Sequence, residues 1–396
     1  MLAALGNGTC VLKGVLFSED SRAFLSCLVE LGFHVDIKED QKQVTIIGTG
    51  GKIPNKSATI NVKSAGTAAR FLTVMLAVAG GDYVLESSEQ MKKRPMEPLI
   101  LALREAGVRV NCIEEEYHFP FEIHSNGFHK EEVAINTDVS SQFASALLMA
   151  GILRQEGLTV ILEGGRTNGS YLKVTLKVME QFGIDVKREG DICKVPSNSD
   201  YHIDQYHIEP DLSAAAYFYA IAPLCGKSVT VFDVHLDSMQ GDIKFVRVLE
   251  QLGCELIETK DGLMVNRSDS KYEGIEINMK DFSDQTMTMA AVAVFATSPT
   301  KITNVGHIRF QESNRIQAIV TELNRMGIQA TATKEDILIT PGVPKPAAIE
   351  TYEDHRMAMA FALVGLRAQG IEIVNPQCCA KTFENYFEVL DQLCES

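Results

Sequence analysis

The sequence predicts an α/β protein of two similar domains, each built from three repeated βαβαββ units with buried helices of small residues. Two observations lead to this prediction. One kind of helix ending recurs along the chain at spacings of about 70 to 76 residues, and helices that are apolar on every side lie between these endings. Self-similarity at a nearly fixed spacing indicates one supersecondary unit used repeatedly, with functional residues expected in equivalent loops.

The recurring ending belongs to amphipathic helices. Each closes with an apolar residue followed by glycine, which can adopt the left-handed conformation that terminates a helix. The glycines are Gly32, Gly107, Gly183, Gly253 and Gly327. A sixth amphipathic helix, predicted from Asn385 to Leu393, has no such glycine. The pattern therefore predicts six units.

The second kind of helix is rich in small and apolar residues all round. A helix without a polar face is expected to be buried. These helices are predicted at 65–79, 143–152, 213–222, 286–297 and 356–366. The segment from Met1 to Gly6 resembles the end of another one, so we expect the sequence to begin within a repeat.

The length of 396 residues is that of two or three domains. Six units divide into a first domain at 1–209 and a second at 210–396, with Pro210 and Asp211 at the junction. No uninterrupted apolar stretch of about 18 residues or more is free of charges, so no membrane span is predicted. No basic region follows Met1, which argues against a signal peptide.

Charge and cysteine content bear on partners and compartment. The formal net charge of −15 argues against nucleic acid as a partner, because binding to a phosphate backbone depends on a basic surface. The nine cysteines are scattered, with no C-x-x-C pair and no histidine at zinc spacing. We therefore expect a cytoplasmic protein in a reducing environment.

Basic residues gather where the repeat places strand-to-helix loops. Together with the free N–H groups and positive dipole ends of helix N-termini, they predict a site for a compact polyanion. Any one of them is also explained as a solvated surface residue. They are Lys92, Lys93, Arg94, Arg166, Arg309, Arg315 and Lys381.

The starts of the apolar helices are polar. Their hydroxyls and carboxylates are ordinary N-caps, and capping explains Asp211 and Ser213. Capping does not explain Arg70 and Arg356, which place cations in the first turns of buried helices, where the dipole disfavours them. Such cations indicate an anionic ligand.

Three side chains are candidates for proton transfer: Asp284, Glu312 and His355. A carboxylate surrounded by arginines stays ionised, which suits a base. Glu312 and Arg315 are one helical turn apart, so a plain surface ion pair is the alternative interpretation of that pair.

Seven segments, in order over nearly the whole chain, resemble the 3-phosphoshikimate 1-carboxyvinyltransferase family, also called EPSP synthase. Any one of these motifs alone would be weak, but together they are specific. They are S-A-G-T-A-A-R (64–70), M-K-K-R-P (91–95), S-S-Q-F (140–143), S-M-Q-G-D (238–242), R-F-Q-E-S-N-R (309–315), D-H-R-M-A (354–358) and C-A-K-T-F (379–383).

The resemblance implies the inverse α/β barrel fold of that family, with the site in the cleft between two domains. It also implies transfer of the enolpyruvyl group of phosphoenolpyruvate to the 5-hydroxyl of shikimate 3-phosphate, in the shikimate pathway of aromatic amino-acid biosynthesis. The family uses no metal and no cofactor and is usually monomeric. Both substrates are small polyanions, which agrees with the distribution of arginines.

By motif, the resemblance implies two sets of ligands. The shikimate 3-phosphate side comprises Ser140, Ser141, Gln142, Asn168, Tyr171, Asp284, His307 and Gln311. The phosphoenolpyruvate side comprises Gly66, Thr67, Arg94, Gln142, Arg315, Arg356 and Lys381. Asp284 is implied to accept the hydroxyl proton, and Glu312 to move protons at the methylene carbon.

The sequence departs from the family pattern at three points. The family's G-S-K-S-x-x-x-R segment, which supplies a lysine, a serine and an arginine, would lie before Met1. Gln311 replaces a usual lysine, and Asn168 replaces a usual serine. From these differences we expect weakened or absent catalysis in the sequence as given, and an open sheet edge in the second domain.

Two alternatives stay open from the sequence. One is the sister reaction on UDP-N-acetylglucosamine, although the stretch from Glu86 to Gln90 lacks the cysteine acid which that family carries. The other is a non-catalytic relative that keeps the fold and binds an anionic metabolite or a partner.

Overall fold

One strand order recurs through the computed structural model, which describes residues 1–395. In a complete repeat, two parallel strands flank a buried helix, and an amphipathic helix and an antiparallel hairpin follow. The four strands lie in the spatial order first, second, fourth, third, as in Ser57–Asn61, Gly81–Glu86, Phe121–Ser125 and Arg109–Cys112. This is the βαβαββ unit that the sequence predicts.

The chain divides into a unit from Met1 to Ile208 and a unit that begins at Glu209. The first unit contains two more four-stranded sheets besides the one just described. In spatial order they are Gln205–His207, Asn7–Lys13, Gln43–Thr49 and His34–Lys38, and Glu132–Asn136, Leu158–Glu163, Ile192–Val195 and Lys187–Glu189. The strand Gln205–His207 pairs in parallel with Asn7–Lys13, so the end of the first unit completes the sheet of its first repeat.

The described part of the second unit has three sheets of different sizes. One has four strands, in the order Glu276–Asn278, Thr300–Thr303, Ile337–Ile339 and Ala330–Ala332. One has three, Val229–Phe232, Gly262–Asn266 and Glu255–Thr259, and one has two, Ala347–Ile349 and Ile371–Ile373. Each of the two units has a hydrophobic core of its own.

The apolar helices form the centres of these cores. They are Leu2–Leu5, Gly66–Ala79, Gln142–Ala150, Leu212–Tyr219 with Ile221–Cys225, Thr286–Ala293 and His355–Ala362. Their burial confirms the prediction, but some bounds differ. The helix predicted at 213–222 divides in two just before Pro223, which has no N–H to donate to the carbonyl of Tyr219. Gly151–Leu153 and Leu363–Leu366 are 3₁₀ turns that continue two of the helices.

The amphipathic helices are Glu19–Glu30, Glu97–Glu105, Ser170–Gln181, Lys244–Gln251, Arg315–Arg325 and Tyr386–Glu395. The first five are closed by the predicted glycines, whose φ angles are 87°, 94°, 89°, 90° and 78°. The residue after each glycine donates its N–H to the carbonyl five positions earlier, as Ile184 does to Met179 at 2.8 Å. The predicted endings are thus confirmed.

Shorter helical turns lie between the helices and strands. They are Glu39–Gln41, Glu89–Lys92, Gly241–Ile243, Lys280–Gln285, Gly306–Phe310 and Pro376–Lys381. No helix among residues 1–395 is long and apolar enough to cross a membrane.

Candidate functional site

Most of the predicted site residues lie in two kinds of place in the repeat. Some begin the buried helices, where the N–H groups of the first turn lack partners within the helix. The others lie in the loops that lead into the amphipathic helices. In the second unit, three such segments bring charged side chains together: Lys280–Gln285, the loop before Arg315–Arg325, and Asp354 before His355–Ala362.

Arg315 is the centre of this arrangement, with only 1% of its surface exposed. Its Nε and Nη2 donate to the two carboxylate oxygens of Asp354, at 2.8 and 3.2 Å. Nη1 lies 3.0 Å from Asp284 Oδ1, and Nη2 lies 2.7 Å from Glu312 Oε2. The Gln311 carbonyl oxygen also accepts from Nη1. The guanidinium group is therefore surrounded by acceptors, and the surface ion-pair interpretation of Glu312 and Arg315 is wrong.

Arg356 supplies the second cation. Its Nη2 lies 2.9 Å from Asp284 Oδ2, so the Asp284 carboxylate bridges the two arginines. Its Nη1 lies 3.5 Å from the hydroxyl of Tyr217. We call Arg315, Arg356, Asp284, Glu312 and Asp354 the Arg315 cluster. It joins two cations to three carboxylates, so its charges are closely balanced.

Within the cluster, Arg315 and Asp354 each favour the ionised form of the other, although both are buried. Burial opposes ionisation of Arg315, but Asp354, Glu312 and Asp284 together raise its pKa. Burial alone would raise the pKa of Asp354, yet the charge and hydrogen bonds of Arg315 bring it below its usual value. Both partners are thus ionised at neutral pH. The neighbouring His355 is neutral there, because burial and the charge of Arg356 lower its pKa to about 3.

A further carboxyl group lies behind the cluster. Asp242 is buried and accepts a hydrogen bond from Gln285 Nε2 at 3.0 Å. Burial and the nearby charge of Asp284 raise the pKa of Asp242 to about 6. Gln285 directly follows Asp284 in the chain, so Asp242 is tied to the segment that presents the candidate base.

The remaining candidates of the second unit lie on neighbouring turns. His307 Nε2 is 2.7 Å from the hydroxyl of Ser283, the residue before Asp284. The Gln311 amide lies 3.5 Å from Asp284 Oδ1. Lys381 ends the turn Pro376–Lys381 and is buried. Gln311 and His307 therefore both approach the Asp284 segment.

In the first unit, two arginines converge on Gly66. A Cβ atom built on Gly66 would lie 2.6 Å from Nη1 of Arg70 and 2.6 Å from Nη1 of Arg94. The Arg70 Nη1 donates to the Gly66 carbonyl at 3.2 Å, and its guanidinium lies 5.9 Å from the ring centroid of Phe143. Only glycine leaves room for both cations here, and they form a local basic site despite the acidic total charge.

Two helix starts of the first unit are joined by a side-chain hydrogen bond. Gln142 Nε2 lies 3.3 Å from Thr67 Oγ1, and Ser140 Oγ accepts from the backbone N–H of Gln142 at 3.2 Å. Ser141 is the N-cap residue of Gln142–Ala150. Asn168 and Tyr171 are exposed, before and within the first turn of Ser170–Gln181.

A comparison with known families identifies the fold. The family model described as EPSP synthase (3-phosphoshikimate 1-carboxyvinyltransferase) matches residues 1–390. The chain belongs to the EPSP synthase family. The predicted fold class and the resemblance are thereby confirmed.

Individual relatives agree with this membership of the EPSP synthase family. A 3-phosphoshikimate 1-carboxyvinyltransferase of Nostoc punctiforme is 40% identical over 396 residues, which cover 100% of this chain and 93% of the relative. One of Neisseria meningitidis serogroup B is 36% identical, covering 100% and 93% of the two chains. The solved structure of EPSP synthase from Acinetobacter baumannii has a TM-score of 0.81 and 25% identity, covering 99% and 91%.

Two basic residues predicted near the EPSP synthase site have other partners. Lys92 forms ion pairs with Glu89 and Glu114, both at 2.9 Å. Arg309 donates to the backbone carbonyl of Thr333 at 2.7 Å. These contacts agree with the surface interpretation for these two residues rather than with a ligand site.

Sequence reasoning missed the partners of the arginines. Asp354 is the N-cap of its helix, because its Oδ1 accepts from the N–H of Arg356 at 3.0 Å. It also binds Arg315, however. No spacing in the sequence shows that one carboxylate both caps a helix and binds a distant arginine. Asp242 lies in the S-M-Q-G-D motif, and its place in that motif is the feature of the sequence that could have marked it as a site residue.

Proposed function

We propose that this chain transfers the enolpyruvyl group of phosphoenolpyruvate to the 5-hydroxyl of shikimate 3-phosphate, forming 5-enolpyruvylshikimate 3-phosphate and phosphate. The observation that carries the proposal is the Arg315 cluster, which fixes Asp284 and Glu312 beside two arginines. The names of the relatives that are 36 to 41% identical support the choice of both substrates.

The proposed reaction is an addition followed by an elimination. Asp284 accepts the proton of the 5-hydroxyl as its oxygen bonds to C2 of phosphoenolpyruvate, while Glu312, after proton uptake, delivers a proton to C3. The resulting tetrahedral adduct then loses phosphate from C2 and returns a proton from C3 to the Glu312 carboxylate, which restores the double bond in the product. The arginines stabilise the negative charge on the departing phosphate.

The proposed ligands differ in how far they are already engaged. Arg315 has acceptors at each of its three nitrogens, so it chiefly orients Asp284 and Glu312. Arg356, whose side chain is 14% exposed, and Lys381 are then the cations that an incoming phosphoenolpyruvate meets in the second unit. In the first unit we propose Gly66, Thr67, Arg94 and Gln142 for the same substrate.

We propose that shikimate 3-phosphate is bound chiefly by polar uncharged side chains. Hydroxyl and amide groups suit the hydroxyls of the ring and its phosphate. The proposed ligands are Ser140, Ser141, Gln142, Asn168, Tyr171, Asp284, His307 and Gln311.

The test is identification of the product with two acceptors. Phosphoenolpyruvate is incubated with the chain and either shikimate 3-phosphate or UDP-N-acetylglucosamine, and the product is identified by NMR. A vinyl ether on shikimate 3-phosphate alone is expected. A product from UDP-N-acetylglucosamine would point to the sister reaction. Substrate binding in calorimetry without product from either acceptor would favour a non-catalytic anion-binding relative.

We also propose that the protein acts in the cytoplasm as a monomer, with its two compact units as the two three-repeat domains. The free thiols of all nine cysteines support a reducing compartment. One chain carries all the proposed ligands, which supports the monomer. Light scattering during gel filtration measures the assembly state.

A further inference from the structure

A strained turn lies just before Asp354 and Arg356, two residues of the Arg315 cluster. Tyr352 and Glu353 have φ angles of 56° and 55°, in the left-handed region. The N–H of Asp354 donates to the carbonyl of Thr351 at 2.8 Å, so 351–354 is a tight turn with both central residues left-handed. Glycine, asparagine and aspartate favour such positions, whereas tyrosine and glutamate are disfavoured there.

This turn leads directly into the cluster. Asp354 caps the helix His355–Ala362 and binds both Arg315 Nε and Ser313 Oγ, at 2.8 and 2.9 Å. Arg356 follows two residues later and pairs with Asp284. A relaxed turn would shift the direction in which Asp354 and Arg356 enter the cluster.

A fully buried carboxylate holds the turn from the other side. Glu322 Oε1 accepts from the Tyr352 hydroxyl at 2.6 Å, and Oε2 accepts from the backbone N–H of Glu350 at 3.2 Å. Arg325 Nε also donates to Oε2, at 2.8 Å, which balances the buried charge. Bonds to a charged acceptor are among the stronger hydrogen bonds in proteins. Residues in strained conformations persist only where surrounding contacts determine them in this way.

One helix therefore contacts the cluster at two levels. Arg315 begins Arg315–Arg325 and binds Asp354, and Glu322, two turns further along, binds the segment just before Asp354. We propose that Glu322, through the Tyr352 hydroxyl, is a positioning residue that keeps the strained 351–354 turn in place and so sets Asp354 and Arg356 for phosphoenolpyruvate. This inference rests on the proposed role of Arg356 in binding that substrate.

The variant Tyr352→Phe tests the inference, because it removes only the hydroxyl that bonds to Glu322. The KM for phosphoenolpyruvate is expected to rise about tenfold, with the KM for shikimate 3-phosphate changed less than threefold. The matched control is Tyr206→Phe, which removes a hydroxyl that donates to Gln181 Oε1 at 2.7 Å in the first unit. It should leave both constants unchanged.

A rescue variant separates positioning from simple loss of stability. Glu353→Gly puts a residue that favours a positive φ into the turn. We expect the double variant Tyr352→Phe, Glu353→Gly to recover most of the affinity for phosphoenolpyruvate, and Glu353→Gly alone to resemble the wild type. An unchanged KM in Tyr352→Phe, or a double variant as impaired as Tyr352→Phe, would overturn the inference.

Hydrogen exchange of the backbone gives a second readout that does not need activity. Peptides covering 350–358 should exchange faster in Tyr352→Phe, and return toward the wild-type rate in the double variant. If the wild type lacks turnover, the proposed function fails, and exchange still decides whether the Glu322 contact holds the turn. If the wild type is active and neither KM nor exchange responds, the positioning inference alone fails.

Discussion

The two arginines of the Arg315 cluster differ in their exposure and in their contacts. Arg315 is buried and its donors are taken by Asp354, Asp284 and Glu312. Arg356 is more exposed, and its contacts include Asp284 and Tyr217. Arg315 therefore binds mainly the carboxylates, whereas we propose that Arg356 exchanges a carboxylate for a substrate anion.

Replacing Arg356 with lysine tests this division. The charge is kept, but lysine lacks the planar guanidinium group that can contact an anion and Asp284 at the same time. We expect the KM for phosphoenolpyruvate to rise at least tenfold, corresponding to about 1.4 kcal/mol, with a smaller change for shikimate 3-phosphate. Steady-state kinetics measure both constants. Arg309→Lys is the matched control, because Arg309 donates to backbone carbonyls outside the cluster, and equal effects of the two variants would refute the division.

At the residue scale, the sequence predicted which charged residues matter better than it predicted their contacts. Arg356 is predicted because a cation at the start of a buried helix is unfavourable without a partner, and Arg315 because basic residues gather in the strand-to-helix loops. The role of Asp354 in binding Arg315 stayed hidden, since capping already explained a carboxylate at that position. Partners that lie 39 positions apart along the chain are set by tertiary packing, not by local spacing.

At the scale of elements, the glycine endings are the most regular feature of the chain. At Gly183 only the backbone conformation requires glycine, since its φ is 89° and a Cβ built there meets nothing within 4 Å. Gly253 adds a steric one, because its Cβ would lie 2.3 Å from Arg267 Nη1.

The variant Gly183→Ala should therefore cost about 1 to 2 kcal/mol of unfolding free energy, from the left-handed backbone alone. Chemical denaturation measures the change. The control is Gly365→Ala in the turn Leu363–Leu366, where φ is not positive and the nearest atom lies 3.8 Å from the new Cβ. That variant should be neutral or slightly stabilising, and an equally neutral Gly183→Ala would contradict the account of the endings.

The elements were predictable to different degrees. Helix endings marked by glycine followed from local chemistry. The pairing of Gln205–His207 with Asn7–Lys13 did not, because a three-residue polar strand has no apolar alternation and its partner lies almost 200 positions away. The helix predicted at 213–222 ends before Pro223, so the break at Ala220, three residues before that proline, was not predicted.

At the scale of the whole molecule, Asp242 links protonation to folding. Its pKa is about 6 in the folded protein, above its ordinary value of 3.8. Between these values the folded state binds more protons than the unfolded one, so this group's contribution to stability is lost as pH rises through about 6. A neutral replacement removes that loss.

The unfolding free energy of Asp242→Asn, minus that of the wild type, should therefore increase from pH 4 to pH 7 and then level off. The increase is expected to be at most on the order of 3 kcal/mol. Urea denaturation at several pH values measures it. His355, whose lowered pKa destabilises the protein in acid, is present in both proteins and cancels in the difference. The exposed control Asp261→Asn should give a flat difference, and a flat or decreasing difference for Asp242→Asn would refute the assignment.

The central claim is that Asp284 and Glu312, held by arginines, carry out enolpyruvyl transfer. The most direct measurement is phosphate release from phosphoenolpyruvate, with and without shikimate 3-phosphate, for the wild type, Glu312→Gln and the exposed control Glu273→Gln. The account predicts release that requires shikimate 3-phosphate, a fall of at least about a hundredfold in Glu312→Gln, and no change in Glu273→Gln. Phosphate release that does not depend on shikimate 3-phosphate, or that continues at the wild-type rate in Glu312→Gln, would contradict the account.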